Sequence, residues 1–442
     1  MNKNLIQKAL SLLLVLASII GCSKTDQLNP VETTPPEDFK VSKQEALKLA
    51  TASNAPANAR TSGEVSKKVK EMKEFKENRG KTVFYAINYE DNKGFLLLSA
   101  DRRMTPVLAY SDEGSFNLDT DNPGIQLWKD LVSQSYKGVE KNTKAHRNVV
   151  NEWKYFEKKN AGNGRTTDQP VWTPEASCEY FVTHPIPTNV TIQHLTDQFS
   201  RWRQGTGYNY YCPSNSILFC NNMDCGKTNT SCGAVAVGQV LRYHRKPITA
   251  NGRSFTTAMF NAMPPTLSSS NCDLTVESHQ NIAHLLRDVG ADLDVHYNTA
   301  NPLLGGGFSS GSGCQSWNLP TKIDDFFNSH GYISNEVDFW GLSGESTIRE
   351  HLLASRPVIL FGAGCTTCLG SAHIWVIDGV QDLNAIYQDQ SGYCYHHRVT
   401  LYQMNWGWGN ASENSGWFNY TSITGDGTVY DSANMKAYTV VP

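Results

Sequence analysis

Cys232 stands at the head of Gly233-Ala234-Val235-Ala236-Val237-Gly238-Gln239-Val240-Leu241-Arg242-Tyr243, a run of small and apolar residues at helical spacing. Thr230 and Ser231 precede it, residue types that cap a helix N-terminus. The pattern predicts a buried helix over Ala234–Tyr243 with Cys232 at its start. The partial positive charge there favours thiolate over thiol, and a thiolate attacks carbonyl carbon. A buried structural thiol, or one half of a disulfide, would use the same residue types.

Such a nucleophile needs an imidazole within hydrogen-bond reach. Among the histidines, His279 and His396-His397 lie in polar contexts, whereas His373 sits in Gly370-Ser371-Ala372-His373-Ile374-Trp375-Val376-Ile377-Asp378-Gly379. Small residues, then His, then an apolar strand, place an imidazole rigidly at the mouth of a cleft, although a satisfied core histidine reads alike. Downstream lies Asn405-Trp406-Gly407-Trp408-Gly409. The oxygen of Asn405 can accept from one ring nitrogen, and Trp406 can shield that bond from water. Upstream lies Arg201-Trp202-Arg203-Gln204-Gly205-Thr206-Gly207-Tyr208-Asn209. Gln204 could supply one arm of an oxyanion hole, with the backbone N–H of Cys232 as the other.

These residues need a scaffold. Val41–Asn54 has the spacing of a short amphipathic helix, and the Lys/Glu-rich Ser62–Gly80 reads as a solvated helix or loop. Thr82–Asn88, Gly94–Ala100 and Val107–Tyr110 read as strands, and Ile125–Tyr136 as a helix. Lys141–Asp168 reads as a polar linker open to proteases. Beyond it the chain turns rich in Cys, Trp and Gly, with Pro357–Leu360 a buried strand. The class is α+β.

Composition narrows the function. The chain has 442 residues, 39% hydrophobic and 18% charged, with a net charge of −3. That is enough apolar material for two or three packed domains, and it gives no electrostatic case for nucleic acid. No Walker-type phosphate loop or His-Glu-x-x-His occurs, so no cofactor or metal is expected. Lys3 and Lys8, the apolar Ala9–Ile20 and then Gly21-Cys22 have the order of an export signal. The apolar run is shorter than the ~20 residues a membrane helix needs. Eleven cysteines are present, and apart from Cys22 all lie from Cys178 onward. An exported chain can keep disulfides. Cys178, Cys212, Cys220, Cys225, Cys272, Cys314, Cys365, Cys368 and Cys394 are the bridge candidates, with pairing unreadable from spacing.

The order Gln, Cys on a helix, His on a strand, Asn-Trp-Gly is that of the papain clan, and the strings resemble the streptopain family of secreted cysteine peptidases. Trp202-Arg203-Gln204 with Tyr208-Asn209, His373-Ile374-Trp375-Val376-Ile377-Asp378-Gly379, and Asn405-Trp406-Gly407-Trp408-Gly409 carry the likeness. Gly94–Arg103 and Pro106–Ser111 resemble that family's inhibitory pro-domain. Gly207 stands where the family has Pro, Ala372 where it has Gly, and Ser231-Cys232-Gly233 departs from its Gly-Cys-Val. The Gly21-Cys22 step resembles a bacterial lipobox, which implies lipidation of Cys22.

The resemblance implies a papain-like two-lobed peptidase domain (170–442) behind a small α+β pro-domain (41–140). A signal peptide (1–21), a tether (22–40) and a cleavable linker (141–169) complete the chain. It implies hydrolysis of protein or peptide substrates by Cys232 and His373, with Gln204, Asn405 and Trp406 in support. Ser310, Ser312 and Ala372 would line the substrate cleft. The pro-domain would be the partner in cis, and a lipid anchor the sole membrane contact, at the outer membrane or cell surface. Two other readings use the same residues: a catalytically inactive surface lipoprotein that binds peptide or glycan, with Cys232 in a disulfide, and acyl transfer in place of hydrolysis.

Overall fold

The computed structural model describes residues 39–52, 67–77, 80–160, 189–192, 195, 200–214, 224–267, 272–297, 316–364, 372–388, 394–409, 414–421, 423–425 and 434–442. Cys22, Ser310 and Ser312 lie outside them, as do the proposed signal peptide and nearly all of the tether.

Alternation of side chains places the core. In β9 (Val358–Ala363) and β10 (His373–Gln388), Val358, Leu360, Trp375 and Ile377 point to one face of a sheet. Ile359, Phe361, Ile374 and Val376 point to the other. A strand apolar on both faces must be covered on both. The second face is covered by the predicted helix, α4 (Cys232–His244), and by α6 (Glu277–Asp292) and α7 (Lys322–Ser329). The first is covered by α2 (Pro123–Glu140) from the front of the chain and by α8 (Leu342–Leu353).

The front region supplies β1 (Val69–Lys76), β2 (Thr82–Tyr89), β3 (Phe95–Ser99) and β4 (Val107–Ser111), an antiparallel meander. It does not form a sheet of its own. β4 pairs with β12 (Gly416–Asn419), with Tyr110 opposite Trp417 and Ala109 opposite Phe418. With β11 (Cys394–Asn405), β13 (Asn434–Val441) and β8 (Ile333–Asp338), the order β1-β2-β3-β4-β12-β11-β10-β9-β13-β8 runs without a break. β5 (Asn189–Ile192) pairs with the middle of β10, Val380–Leu383. The Tyr110 hydroxyl donates to Gln381 Oε1 across the seam, at 2.6 Å and buried.

Helix α1 (Lys43–Ala52), strands β2 to β4, helix α2 and strand β9 fall where the sequence puts them. Two segments differ. Ser62–Gly80 holds β1 instead of a helix or loop. Its Lys/Glu composition hides a strand because β1 is an outer strand, with one half-exposed edge that charge suits. Lys141–Asp168 holds α3 (Arg147–Asn160), not a bare linker. Val149, Trp153 and Phe156 recur at helical spacing and are buried in a cluster with Leu401 and Trp417. Five apolar or aromatic residues among Lys, Asn, Glu and Arg do not stand out by composition. Glu152 on α3 fixes the packing, its carboxylate accepting from His397 on β11 at 2.7 Å.

Candidate active site

Cys232 begins α4. Ser231 caps the helix, its Oγ accepting from Ala234 N at 3.0 Å. The thiol is free, which removes the disulfide on which the inactive-binder reading rests. Gly233 lets the helix end lie against Asn318: a Cβ there would sit 2.4 Å from its Oδ1. The Gln204 loop is tied to the approach to the nucleophile by Thr230 N–H, which donates to Gln204 O at 2.9 Å. Gly207, in the place of the family's Pro, has φ +86°, which a proline ring cannot adopt. A disulfide between Cys225 and Cys272 holds the same approach from the other side. Cys394 is also disulfide-bonded, whereas the bridge candidate Cys212 is a free, buried thiol.

His373 is the first residue of β10, paired with Gly362 on β9. The backbone N–H of the next residue, Ile374, hydrogen-bonds to the Cys232 sulfur, so the strand start abuts the helix start. Among the described residues no hydrogen bond joins the imidazole to the thiol. Its Nε2 lies 2.8 Å from the backbone O of Trp406. A carbonyl only accepts, so Nε2 carries the proton. The ring stacks on Trp375 and takes Trp408 edge-on, with centroids 5.8 and 5.6 Å apart.

Electrostatics agree with an idle pair. Burial pushes the Cys232 thiol up to about 11, against backbone N–H groups of Ile374, Gly233 and Cys232 that favour the thiolate. Burial pulls His373 down to about 4, only partly offset by the Trp406 carbonyl. Burial thus disfavours the charged form of both groups, and with it a thiolate–imidazolium pair.

The front region packs against this site. Asn122 caps α2, its side chain accepting from Gly124 N and Ile125 N, with Pro123 pre-set at the first turn. That brings Gly124 onto the site. A Cβ on Gly124 would lie 2.4 Å from Trp406 Cε3 and 3.1 Å from His373 Cδ2, so only glycine fits. One turn on, Leu127 presses on β9, where a Cβ on Gly362 would meet it at 2.3 Å.

The remaining sequence-predicted residues divide. Asn405 makes no hydrogen bond to His373 here. Its Nδ2 donates to Ser200 O at 2.7 Å and to Gln239 Oε1 at 3.2 Å. Trp406 is fully buried beneath Gly124, its Nε1 donating to Asn414 O at 2.8 Å. Trp408, which the sequence reading passed over, is the indole at the exposed side of the imidazole. Ala372 is half-buried beside His373 and packs on the α4 side of the core. Gln239 and Gly124 were also missed. Gln239 falls on the α4 face that meets Trp202, a cue readable only once the helix is paired with its neighbours.

Comparison with known proteins agrees with this geometry. The Peptidase C10 family matches residues 202–418, and the Spi protease inhibitor family matches residues 38–136. A streptopain of Streptococcus pyogenes is 24% identical over 346 residues, covering 72% of this chain and 70% of that protein. A thiol protease/hemagglutinin of Porphyromonas gingivalis is 22% identical over 366 residues, covering 77% of this chain and 34% of that protein. In fold, the chain is similar to a prointerpain A fragment of Prevotella intermedia, with TM-score 0.51, 17% identity and coverage of 83% of this chain and 97% of that one. A free cysteine at a helix start, a histidine at a strand start and a front region packed against that histidine accompany these matches: the chain is a cysteine peptidase whose residues 202–418 are a domain of the C10 (streptopain) family, with a papain-like α+β fold and an inhibitory pro-domain of its own.

Proposed function

We propose that the chain is an exported, lipid-anchored cysteine endopeptidase, activated when residues 39–160 are removed. The observation that carries this is the placement of Gly124 on Trp406 and His373. The imidazole is held by the Trp406 carbonyl of the peptidase part, and Gly124 of the removable region packs against both residues. With α2 gone, His373 leaves the Trp406 carbonyl and faces Cys232, and Asn405 Oδ1 accepts from its other N–H. His373 takes the thiol proton. The thiolate attacks the peptide carbonyl, with Gln204 and the Cys232 N–H holding the oxyanion. His373 then protonates the leaving amine, and water, deprotonated by the same imidazole, hydrolyses the thioester. Trp408 flanks the leaving-group side. Ala372, Ser310 and Ser312 contact the substrate. Cleavage falls behind α3, and lipid on Cys22 holds the enzyme at the envelope surface.

The test is mass spectrometry of the signal-less chain beside its Cys232→Ala copy, both incubated with reductant and then with casein. The wild type should shorten to a ~30 kDa peptidase (about 270 residues of ordinary domain size) and hydrolyse casein. The Ala copy should do neither, a loss on the order of 10⁴-fold or more. Equal shortening of both copies, without hydrolysis, would refute the catalytic role. Labelling with radioactive palmitate, present in wild type and absent in Cys22→Ala, checks the anchor.

A further inference from the structure

We propose that Gln239 is a positioning residue of the peptidase: it sets which way the amide of Asn405 faces, and so whether His373 finds an acceptor. This rests on the reading that Asn405 orients His373 in the processed enzyme.

The argument is a chain of obligate donors and acceptors. Gln239 lies on α4, about two turns below Cys232, and is completely buried. Its Oε1 accepts from Trp202 N–H at 3.0 Å. A backbone N–H can only donate, so the oxygen of Gln239, not its NH₂, must face Trp202. The same Oε1 accepts from Asn405 Nδ2 at 3.2 Å. The second Asn405 N–H goes to Ser200 O at 2.7 Å, again an acceptor only. Both hydrogens of the Asn405 amide are thereby taken from the interior side. Its Oδ1 is left to the site side, where it accepts from Gly407 N–H at 3.3 Å and keeps a lone pair for a second donor. Flipping Asn405 would set its oxygen against the Ser200 and Gln239 oxygens and aim its NH₂ at an imidazole N–H.

Gln239 also fixes distance as well as direction. It is a single side chain that joins the nucleophile helix, the Trp202–Gln204 segment and the Asn405–Gly407 turn. Its Nε2 is buried and has no hydrogen-bond partner among the described residues. The oxygen is the working end of this side chain, and its NH₂ contributes nothing in this state.

An imidazolium that donates to Asn405 Oδ1 is stabilised by that bond, so the alkaline limb of the pH profile reports it. The experiment uses processed enzyme, with active sites counted by an irreversible thiol-directed inhibitor. Gln239→Met keeps the volume and removes the acceptor. It should lower kcat about tenfold, the worth of one good hydrogen bond, leave KM in place, and move the alkaline limb to lower pH. Gln239→Glu retains acceptor oxygens and should restore kcat and the limb. In an Asn405→Ala background, Gln239→Met should cost nothing more.

A Met variant with wild-type kcat and limb overturns the proposal, as does a loss that merely scales the profile or adds in full to that of Asn405→Ala. An Asn405→Ala enzyme with unchanged kcat and limb overturns the underlying reading as well, which separates the two failures. Should the Met variant not fold, the Glu variant decides: a limb below that of wild type overturns the proposal.

Discussion

The two faces of the central sheet are both dry and both packed, yet they differ in permanence. On one, α4 and α6 bury Ile359, Phe361, Ile374 and Val376 with residues of the peptidase itself. On the other, α2 buries Leu360, Trp375 and Met404 with Leu127, Trp128 and Leu131 of the pro-domain. Cys232 rides on the face the peptidase domain covers itself, and His373 lies against the face the pro-domain covers. On the proposed function, inhibition is then a matter of packing: the pro-domain completes a core, and His373 lies buried at its margin.

Four measurements would break or sharpen that contrast. The largest expected effect is on stability. Ile359→Ala should cost about 2–5 kcal/mol in zymogen and processed chain alike, because its face stays covered. Trp128→Ala should cost the zymogen about 3–5 kcal/mol and leave the processed enzyme untouched. Denaturant melts of both forms decide; an unchanged Trp128→Ala zymogen would mean that α2 is not part of a shared core.

The second is a pH dependence. His373 is held neutral, near 4, while in the unfolded chain it protonates at its ordinary value of about 6.5. Between these values the unfolded chain binds the extra proton, so zymogen stability falls as pH drops from about 6.5 toward 4, by on the order of 3 kcal/mol. His373→Gln should flatten that slope in urea melts across the range. The third is reactivity. With its thiol near 11, zymogen Cys232 should react with iodoacetamide at a rate that climbs steadily with pH through the neutral range. The processed enzyme should react on the order of a hundredfold faster at pH 7 and with little slope. Identical profiles would mean that the pair is already formed in the zymogen. The smallest effect is local. Gly124→Ala should weaken inhibition by the separately added pro-domain about tenfold, the usual cost of one misplaced methyl in a packed contact, as read in a titration against processed enzyme.

Much of this was legible in the sequence. Cys232 announced itself by Ser231 before it and small residues after it, and His373 by the apolar strand that follows. Strands β2, β3 and β4 showed as apolar runs because each is buried on both faces. What stayed hidden depends on partners distant in the chain. The charged β1 looks unlike a strand until its place at the sheet edge is known. Helix α3 has few apolar residues, and they count only because β11 offers Leu401 and Val399 to meet them. The bond of Asn405 to Gln239 joins positions 166 residues apart, which no spacing rule reaches. The packing of Gly124 on His373 was also out of reach, since it joins positions in two domains.

The seam between β4 and β12 has one more consequence. The proposed removal of residues 39–160 would turn β12 from an interior strand into an outermost one, with a newly open row of amide and carbonyl groups. Such rows recruit foreign strands and seed self-association. The ladder given up at the seam is only two residues long, Tyr110 to Trp417 and Ala109 to Phe418, and β12 itself has only four. The rest of the union is side-chain packing, which leaves no template behind. The molecule parts where the backbone has least to offer a stranger, so the freed enzyme starts its working life with little that another chain could grow upon.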